Sequence, residues 1–88
     1  MTVLTVPTVH LNGTSREALY EALATAAEAV YQAVEALQAT YPNGRDYYPQ
    51  GSGALRQAEA EYQSRVERVS AVRAELMELM SAVQAAGR

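Results

Sequence analysis

Apolar side chains recur at helical spacing along two long stretches of the chain. In the first stretch, large apolar residues three, four or seven positions apart alternate with alanines, which is typical of one face of a helix. This stripe consists of Leu19, Leu23, Val30, Val34, Leu37 and Tyr41, and an adjoining stripe consists of Tyr20, Ala24, Ala27 and Tyr31. Two adjoining stripes indicate more than one neighbour. The narrow polar side, with Glu21, Glu28 and Glu35 at heptad spacing, is typical of a solvated face.

The second stretch has a cleaner repeat, in which an apolar residue returns at every seventh position. Its members are Leu55, Tyr62, Val69, Leu76 and Val83, with Val66, Val72, Leu79 and Met80 beside them. A heptad repeat sustained over this length favours left-handed, coiled-coil-like packing. We therefore predict a second helix over about residues 54–86.

Local signals set the bounds of the first helix at about residues 15–40. Thr14 to Glu17 has the S/T-x-x-E form of a capping box, and the turn-forming pair Asn12-Gly13 precedes it. The helix is expected to end near Thr40, because Tyr41 precedes Pro42 and residues before proline avoid the α region. Residues 41–53 then form a loop.

The remaining segment, residues 1–13, is an arm rich in valine and threonine, which predicts an extended segment or short strand interrupted by Pro7. The predicted fold is therefore a single all-α domain: an antiparallel two-helix hairpin with an extended N-terminal arm. A hairpin this small leaves much of its apolar surface wet, so we expect it to assemble into a homo-oligomeric helical bundle.

Composition excludes the usual ways of stabilising so small a domain. There is no cysteine, and His10 is the only histidine, so neither a disulfide nor a structural zinc site is expected. No motif for a nucleotide cofactor is present, and we expect no cofactor and no metal. Oligomerisation is therefore the remaining way to stabilise the domain.

The net charge of -3 argues against general nucleic-acid binding, which needs a basic surface. No stretch is long and apolar enough to span a bilayer, and the N-terminus lacks the basic and apolar regions of a signal peptide. We expect a protein of the cytoplasm. All of its basic residues apart from His10 are arginines, which suit bidentate recognition of carboxylate or phosphate.

The loop is the first candidate site. Asn43-Gly44 and Gly51-Ser52-Gly53 are turn signals, and between them Arg45, Asp46, Tyr47 and Tyr48 are expected to project as a finger. Arginine for phosphate or carboxylate, aspartate for a ribose hydroxyl and tyrosine for stacking on a base together suit a small anionic, nucleotide-like ligand. Tyrosine and arginine also suit a protein-binding hot spot. Alternatively, the loop is structural and its tyrosines cover the end of the hairpin.

The arm supplies the second candidate set, which consists of His10, Asn12 and Thr14. In one hairpin these residues lie at the opposite end of the first helix from the loop. In an antiparallel dimer, however, the arm of one subunit would lie beside the loop of the other, with the anion-favouring start of the helix between them. The spacing therefore predicts a composite pocket between subunits, and Leu76→Arg is the change that the heptad repeat suggests for breaking the dimer.

An enzyme is not expected. The glutamates are predicted on exposed faces, no second carboxylate lies near Asp46 in sequence, and His10 is remote from every candidate nucleophile.

The motifs HLNGTS (residues 10–15) and GRDYYPQG (residues 44–51), separated by one helix and followed by another, resemble a group of small helical proteins of tailed phages and prophages. The resemblance covers residues 9–86. It implies a viral origin, a two-helix fold and the cytoplasm of a bacterial host.

Some small oligomeric phage proteins bind cyclic nucleotides or ADP-ribose-derived signals between subunits and so silence host immunity. By analogy with these counter-defence sponges, sequestration of such a signal is the expected function. The alternative is a phage protein that inhibits or adapts a host or virion protein.

Overall fold

The computed structural model describes residues 3–86, and it confirms the all-helical hairpin. Helix α1 spans Arg16–Leu37 and helix α2 spans Ala54–Ala85, with three short 3₁₀ turns between them, at Gln38–Thr40, Gly44–Asp46 and Tyr48–Gln50. The predicted helices over residues 15–40 and 54–86 correspond to α1 with its 3₁₀ extension and to α2. No strand occurs within residues 3–86, and residues 3–10 are irregular.

The start of α1 differs by one residue from the predicted capping box. Ser15, not Thr14, is the N-cap, and its Oγ accepts a hydrogen bond from the Ala18 amide at 3.1 Å. Serine caps helices somewhat better than threonine, which favours this position. The shift places Ala18 where the box requires a glutamate, so the predicted box does not form. Glu17 in the first turn still faces the positive end of the helix dipole.

The end of α1 follows the proline rule. The helix tightens into a 3₁₀ turn, in which the Thr40 hydroxyl donates to the Leu37 carbonyl at 2.7 Å. Tyr41, before Pro42, has an extended ψ of 131°. The apolar stripe predicted to reach Tyr41 therefore continues past the helical backbone.

Two side-chain contacts and one shared groove show the antiparallel register of the two helices. The rings of Tyr41 and Tyr62 meet edge to face at 5.0 Å between centroids. Farther along, the Arg73 guanidinium carbon lies 5.1 Å from the centre of the Tyr31 ring. At the far end, Tyr20 and Gln84 line the same groove.

Helix α2 has 32 residues and α1 has 22, so α2 extends beyond the end of α1. The first three turns of α2 are instead accompanied by the segment that follows α1. Tyr41 contacts Tyr62, a Cβ at Gly44 would lie 3.6 Å from Leu55 Cδ2, and the third 3₁₀ turn lies against the start of α2. The connection between the helices is thus packed along α2.

The core of the hairpin is thin. Among the described residues, Ala27, Tyr62 and Val83 are the buried hydrophobic ones, and Val83 is fully buried. The other heptad residues of α2, namely Leu55, Val69 and Leu76, are half-buried. From Val69 onwards, the repeat of α2 therefore faces α1 of the same chain. Leu76→Arg would disrupt the hairpin itself, so it cannot test assembly as the sequence suggested.

The helical repeat gives the hairpin two different sides. The acidic side carries Glu21, Glu28 and Glu35 of α1, all exposed as predicted. The apolar side is formed by Leu19, Ala22, Ala26, Ala33 and Leu37 of α1 with Val72 and Leu79 of α2. No described helix is long and apolar enough to cross a membrane.

One charged side chain lies within the seam between the helices. Arg73 stacks on Tyr31, but its Nε atom is buried without a hydrogen-bond partner. A buried donor without a partner costs about 1 to 3 kcal/mol. Arg73 is therefore a poor choice for stability at this position.

Candidate functional site

The segment Asn43 to Gly53 is held by its own backbone hydrogen bonds. The Asn43 side chain accepts from the Arg45 amide at 3.0 Å, which caps the second 3₁₀ turn. The Tyr47 amide then donates to the Gly44 carbonyl and the Gln50 amide to the Tyr47 carbonyl, both at 3.0 Å. Because its amides are hydrogen-bonded in this way, this short polar segment is ordered with few contacts to the hydrophobic core.

Two glycines turn this segment into α2. Gly51 has φ 102° and ψ 169°, and Gly53 has φ 98°. Both lie in regions that residues with a Cβ rarely adopt. The predicted turn signal Gly51-Ser52-Gly53 is thus a real backbone requirement.

The loop is not the projecting finger that the sequence suggested. It follows the first turns of α2, as the position of Gly44 next to Leu55 shows. Arg45 and Asp46 remain exposed, and 76% of Tyr48 is exposed, whereas Tyr47 is half-buried. Three of the four predicted loop residues are therefore available to a partner, and Tyr47 is partly structural.

A further tyrosine at the loop end was not among the predicted site residues. Tyr41 is 57% exposed, and its hydroxyl donates to Glu59 Oε2 at 3.3 Å. The pKa of the Tyr41 hydroxyl is raised, mainly by the negative charge of Glu59 and to a smaller extent by this hydrogen bond. Tyr41 thus presents a ring edge fixed by Tyr62 and Glu59, close to the exposed loop. In the sequence, the signal for this position of Tyr41 was that it directly precedes Pro42, outside the helix.

The arm set lies at the other end of the hairpin. His10, Asn12 and Thr14 are all exposed. The Gly13 amide donates to the His10 carbonyl at 3.1 Å, closing a turn that includes Asn12. A Cβ on Gly13 would lie 2.7 Å from His10 Nε2, so the absence of a side chain at Gly13 lets the imidazole lie over the turn.

A large hollow lies beside this turn. It is a groove of about 670 Å³ lined by Arg16, Glu17, Tyr20, Glu21, Ala24 and Gln84. A neighbouring hollow of about 430 Å³ includes Val9, His10 and Leu11 and shares Arg16 and Glu17 with the groove. The sequence reasoning missed Arg16, Tyr20 and Gln84, because α1 and α2 come together at this groove only through the register of the hairpin.

The two candidate sets do not meet within one chain. They lie at opposite ends of α1, whose 22 residues span about 33 Å. Each end nevertheless offers an arginine with a tyrosine: Arg45 with Tyr48 at the loop end, and Arg16 with Tyr20 at the arm end. Such pairs can bind an anionic group and stack on a ring. Within residues 3–86, no cluster of three acidic or histidine side chains could hold a metal ion.

No protein-family model, no curated protein and no solved structure matches this chain. The resemblance to small phage proteins stays a prediction.

Proposed function

We propose that this chain is a non-enzymatic, phage-type binding protein that forms a homo-oligomer and sequesters a small nucleotide-derived immune signal between its subunits. The ligand class is a cyclic oligonucleotide or an ADP-ribose derivative. Such a ligand carries phosphates, which arginine binds as a bidentate donor, and bases, which stack on tyrosine.

The observation that carries the proposal is the presence of an arginine and a tyrosine at both ends of one hairpin, exposed at the loop end and half-buried at the arm end. Neither end encloses a ligand alone, since Arg45 and Tyr48 are exposed and the groove beside Arg16 is open. An antiparallel pair of hairpins would bring the arm end of one chain to the loop end of the other. Both arginine-tyrosine pairs, with His10, Asn12 and Thr14, would then line one pocket.

The test is a thermal-shift screen of the purified protein against cyclic di- and trinucleotides, ADP-ribose derivatives and mononucleotides, with the mass in solution recorded alongside. Ligand at a hundred times its dissociation constant adds about 2.7 kcal/mol of stability. For a domain of this size, that raises the melting temperature by roughly 10 °C or more.

Matched variants locate the pocket. Arg45→Ala and Arg16→Ala should both abolish the shift, since the two arginines would contribute from different subunits. Arg68→Ala should keep it, because Arg68 is exposed near the middle of α2, away from both ends of the hairpin, and its Nε donates to Ser64 of its own helix. A shift that survives both Arg45→Ala and Arg16→Ala would contradict the composite pocket.

A second candidate function is the binding of a host or virion protein through the loop and helix faces. It is favoured by Tyr48, whose large ring is 76% exposed in the same loop as the exposed Arg45, since both residue types are favoured in protein-binding hot spots. A screen without any thermal shift, together with loss of partner capture in Tyr48→Ala but not in Arg68→Ala, would support this function over sequestration.

A further inference from the structure

The chain exposes far more surface than a compact monomer of its mass. Its accessible surface is 6554 Å². A folded monomer of 9.5 kDa is expected to expose about 5,000 Å². The difference, about 1,500 Å², exceeds the roughly 800 Å² that each partner buries in a standard interface.

Part of this excess lies on the arm, where Val3 and Leu11 are 91% and 96% exposed. Another part lies on the apolar side of the hairpin. Val72 is 47% exposed there, Ala22 and Ala33 are exposed, and Leu19, Leu37 and Leu79 are only half-buried. The acidic side, by contrast, presents the glutamate row to solvent.

We propose that the apolar side is the surface on which a second copy of this chain docks, in an antiparallel arrangement that places α1 against α1 of its partner. This inference rests on the proposed homo-oligomer and specifies its surface and orientation. A second copy is the occupant because the excess surface of the chain is large enough to include a standard dimer interface and because the apolar side is complementary to itself.

The self-complementarity follows from the order of large and small residues along α1. In a two-fold symmetric interface, residues at equal distances on either side of the axis contact each other. Ala26 lies near the middle of α1, Leu19 lies one heptad before it and Ala33 one heptad after it. With the axis at Ala26, the large Leu19 of each copy faces the small Ala33 of the other.

Charge favours this side over the other. Antiparallel docking through the acidic side would bring two rows of glutamates together, and like charges in contact are destabilising. On the apolar side, α1 presents Leu19, Ala22, Ala26, Ala33 and Leu37 and no glutamate row, while α2 adds the exposed Arg65 and Arg68, seven and four positions before Val72. The same arrangement places the His10–Gly13 turn of one copy beside the segment that follows α1 in the other.

A matched pair of substitutions tests the surface. Val72 and Met77 are similarly exposed, at 47% and 43%, but lie on opposite sides of α2. We expect Val72→Arg to convert the protein to a monomer in sedimentation velocity, and Met77→Arg to leave the dimer intact. A wild-type monomer, or a Val72→Arg variant that still dimerises, would overturn the inference.

Single cysteines provide a test that does not depend on weakening the interface, because the chain has no native cysteine. Ala26→Cys, next to the symmetry axis, should form a disulfide-linked dimer on mild oxidation in dilute solution. Ser70→Cys, exposed on the other side, should not. A mixture of Leu19→Cys and Ala33→Cys chains should also crosslink, whereas neither variant alone should. Crosslinking of Ser70→Cys in preference to Ala26→Cys would refute the proposed side.

These measurements separate this inference from the proposed function. A dimer through the apolar side that binds none of the screened nucleotides would retain the interface and reject sequestration. Nucleotide binding by a protein that dimerises through another surface would support sequestration and reject this interface.

Discussion

At the loop end of the hairpin, a polar segment with two prolines is held by a series of turn hydrogen bonds and lies against α2. At the arm end, a segment rich in valine and threonine forms one turn, at His10–Gly13, and is otherwise irregular. Composition alone suggests the opposite, since β-branched residues favour regular extended structure. The difference shows that a regular backbone conformation depends on hydrogen-bond partners for the backbone amides and carbonyls. The loop supplies these partners from its own backbone, whereas a strand requires another strand.

The two ends also differ in what they offer a ligand. The loop end has the greater density of recognition residues in sequence, but the hollow beside it, lined by Ser52, Gly53, Leu55, Arg56 and Glu59, is about 470 Å³. The arm end has few marked residues in sequence, but the groove where the last turns of α2 meet the start of α1 is about 670 Å³. The recognition motif and the larger of these two hollows are therefore found at opposite ends of the same chain.

The largest expected effects come from truncating one buried side chain at each end of the hairpin, Tyr62 at the loop end and Val83 at the arm end. Tyr62→Ala should lower the free energy of unfolding by about 3 to 5 kcal/mol, the usual cost of removing a buried aromatic side chain. Val83→Ala at the arm end should cost about 2 kcal/mol, since a smaller side chain is lost. Urea denaturation followed by circular dichroism measures both. A larger loss for Val83→Ala would show that the arm end is the better anchored.

Arg73, between the two ends, offers a stabilising change. Arg73→Met should raise the free energy of unfolding by about 1 to 3 kcal/mol, because it removes a buried donor without a partner and keeps the apolar contact with Tyr31. Arg68→Met, at an exposed position of the same helix, should change it by about 0.5 kcal/mol or less. A destabilised Arg73→Met protein would mean that the stacking on Tyr31 outweighs the unmet donor.

Glycine replacements compare the backbones of the two ends. Gly51→Ala should destabilise the protein by about 1 to 3 kcal/mol, because its backbone lies in a region almost restricted to glycine. Gly13→Ala should cost about 0.5 kcal/mol or less, because the clash is with the flexible His10 ring, which can move. Thermal unfolding measures the costs, and the NMR signals of His10 should shift in Gly13→Ala. Equal losses of stability in Gly51→Ala and Gly13→Ala would mean that the backbones of the two ends do not differ in their need for glycine.

The smallest expected effect is the alkaline response of the loop end. Because the pKa of Tyr41 is raised in the folded protein, its stabilising contribution is complete below pH 10 and is lost as the pH rises through the raised value. Tyr41→Phe should therefore show a smaller loss of stability than wild type between pH 9 and 11. Glu59→Gln should flatten the same profile, because it removes the charge responsible. An unchanged profile in both variants would exclude Tyr41 as the source.

By itself, the sequence determined the two helices, the end of α1 before Pro42, the turn at Gly51 to Gly53 and the solvated glutamate row. These features depend on periodicity and on the backbone preferences of single residues, which act locally. The one local error, the N-cap, arose because Thr14 and Ser15 both carry a hydroxyl and their preferences differ little.

Only the tertiary structure decided that Tyr47 faces inward and Tyr48 outward, since no periodicity operates in an irregular loop. It also decided that the heptad repeat of α2 covers α1 of the same chain, and that Arg73 lies on Tyr31. Finally, it brought Arg16, Tyr20 and Gln84 to one groove. Each of these depends on how far α2 extends past α1, and register is set by the packing of both helices together, which neither helix specifies alone.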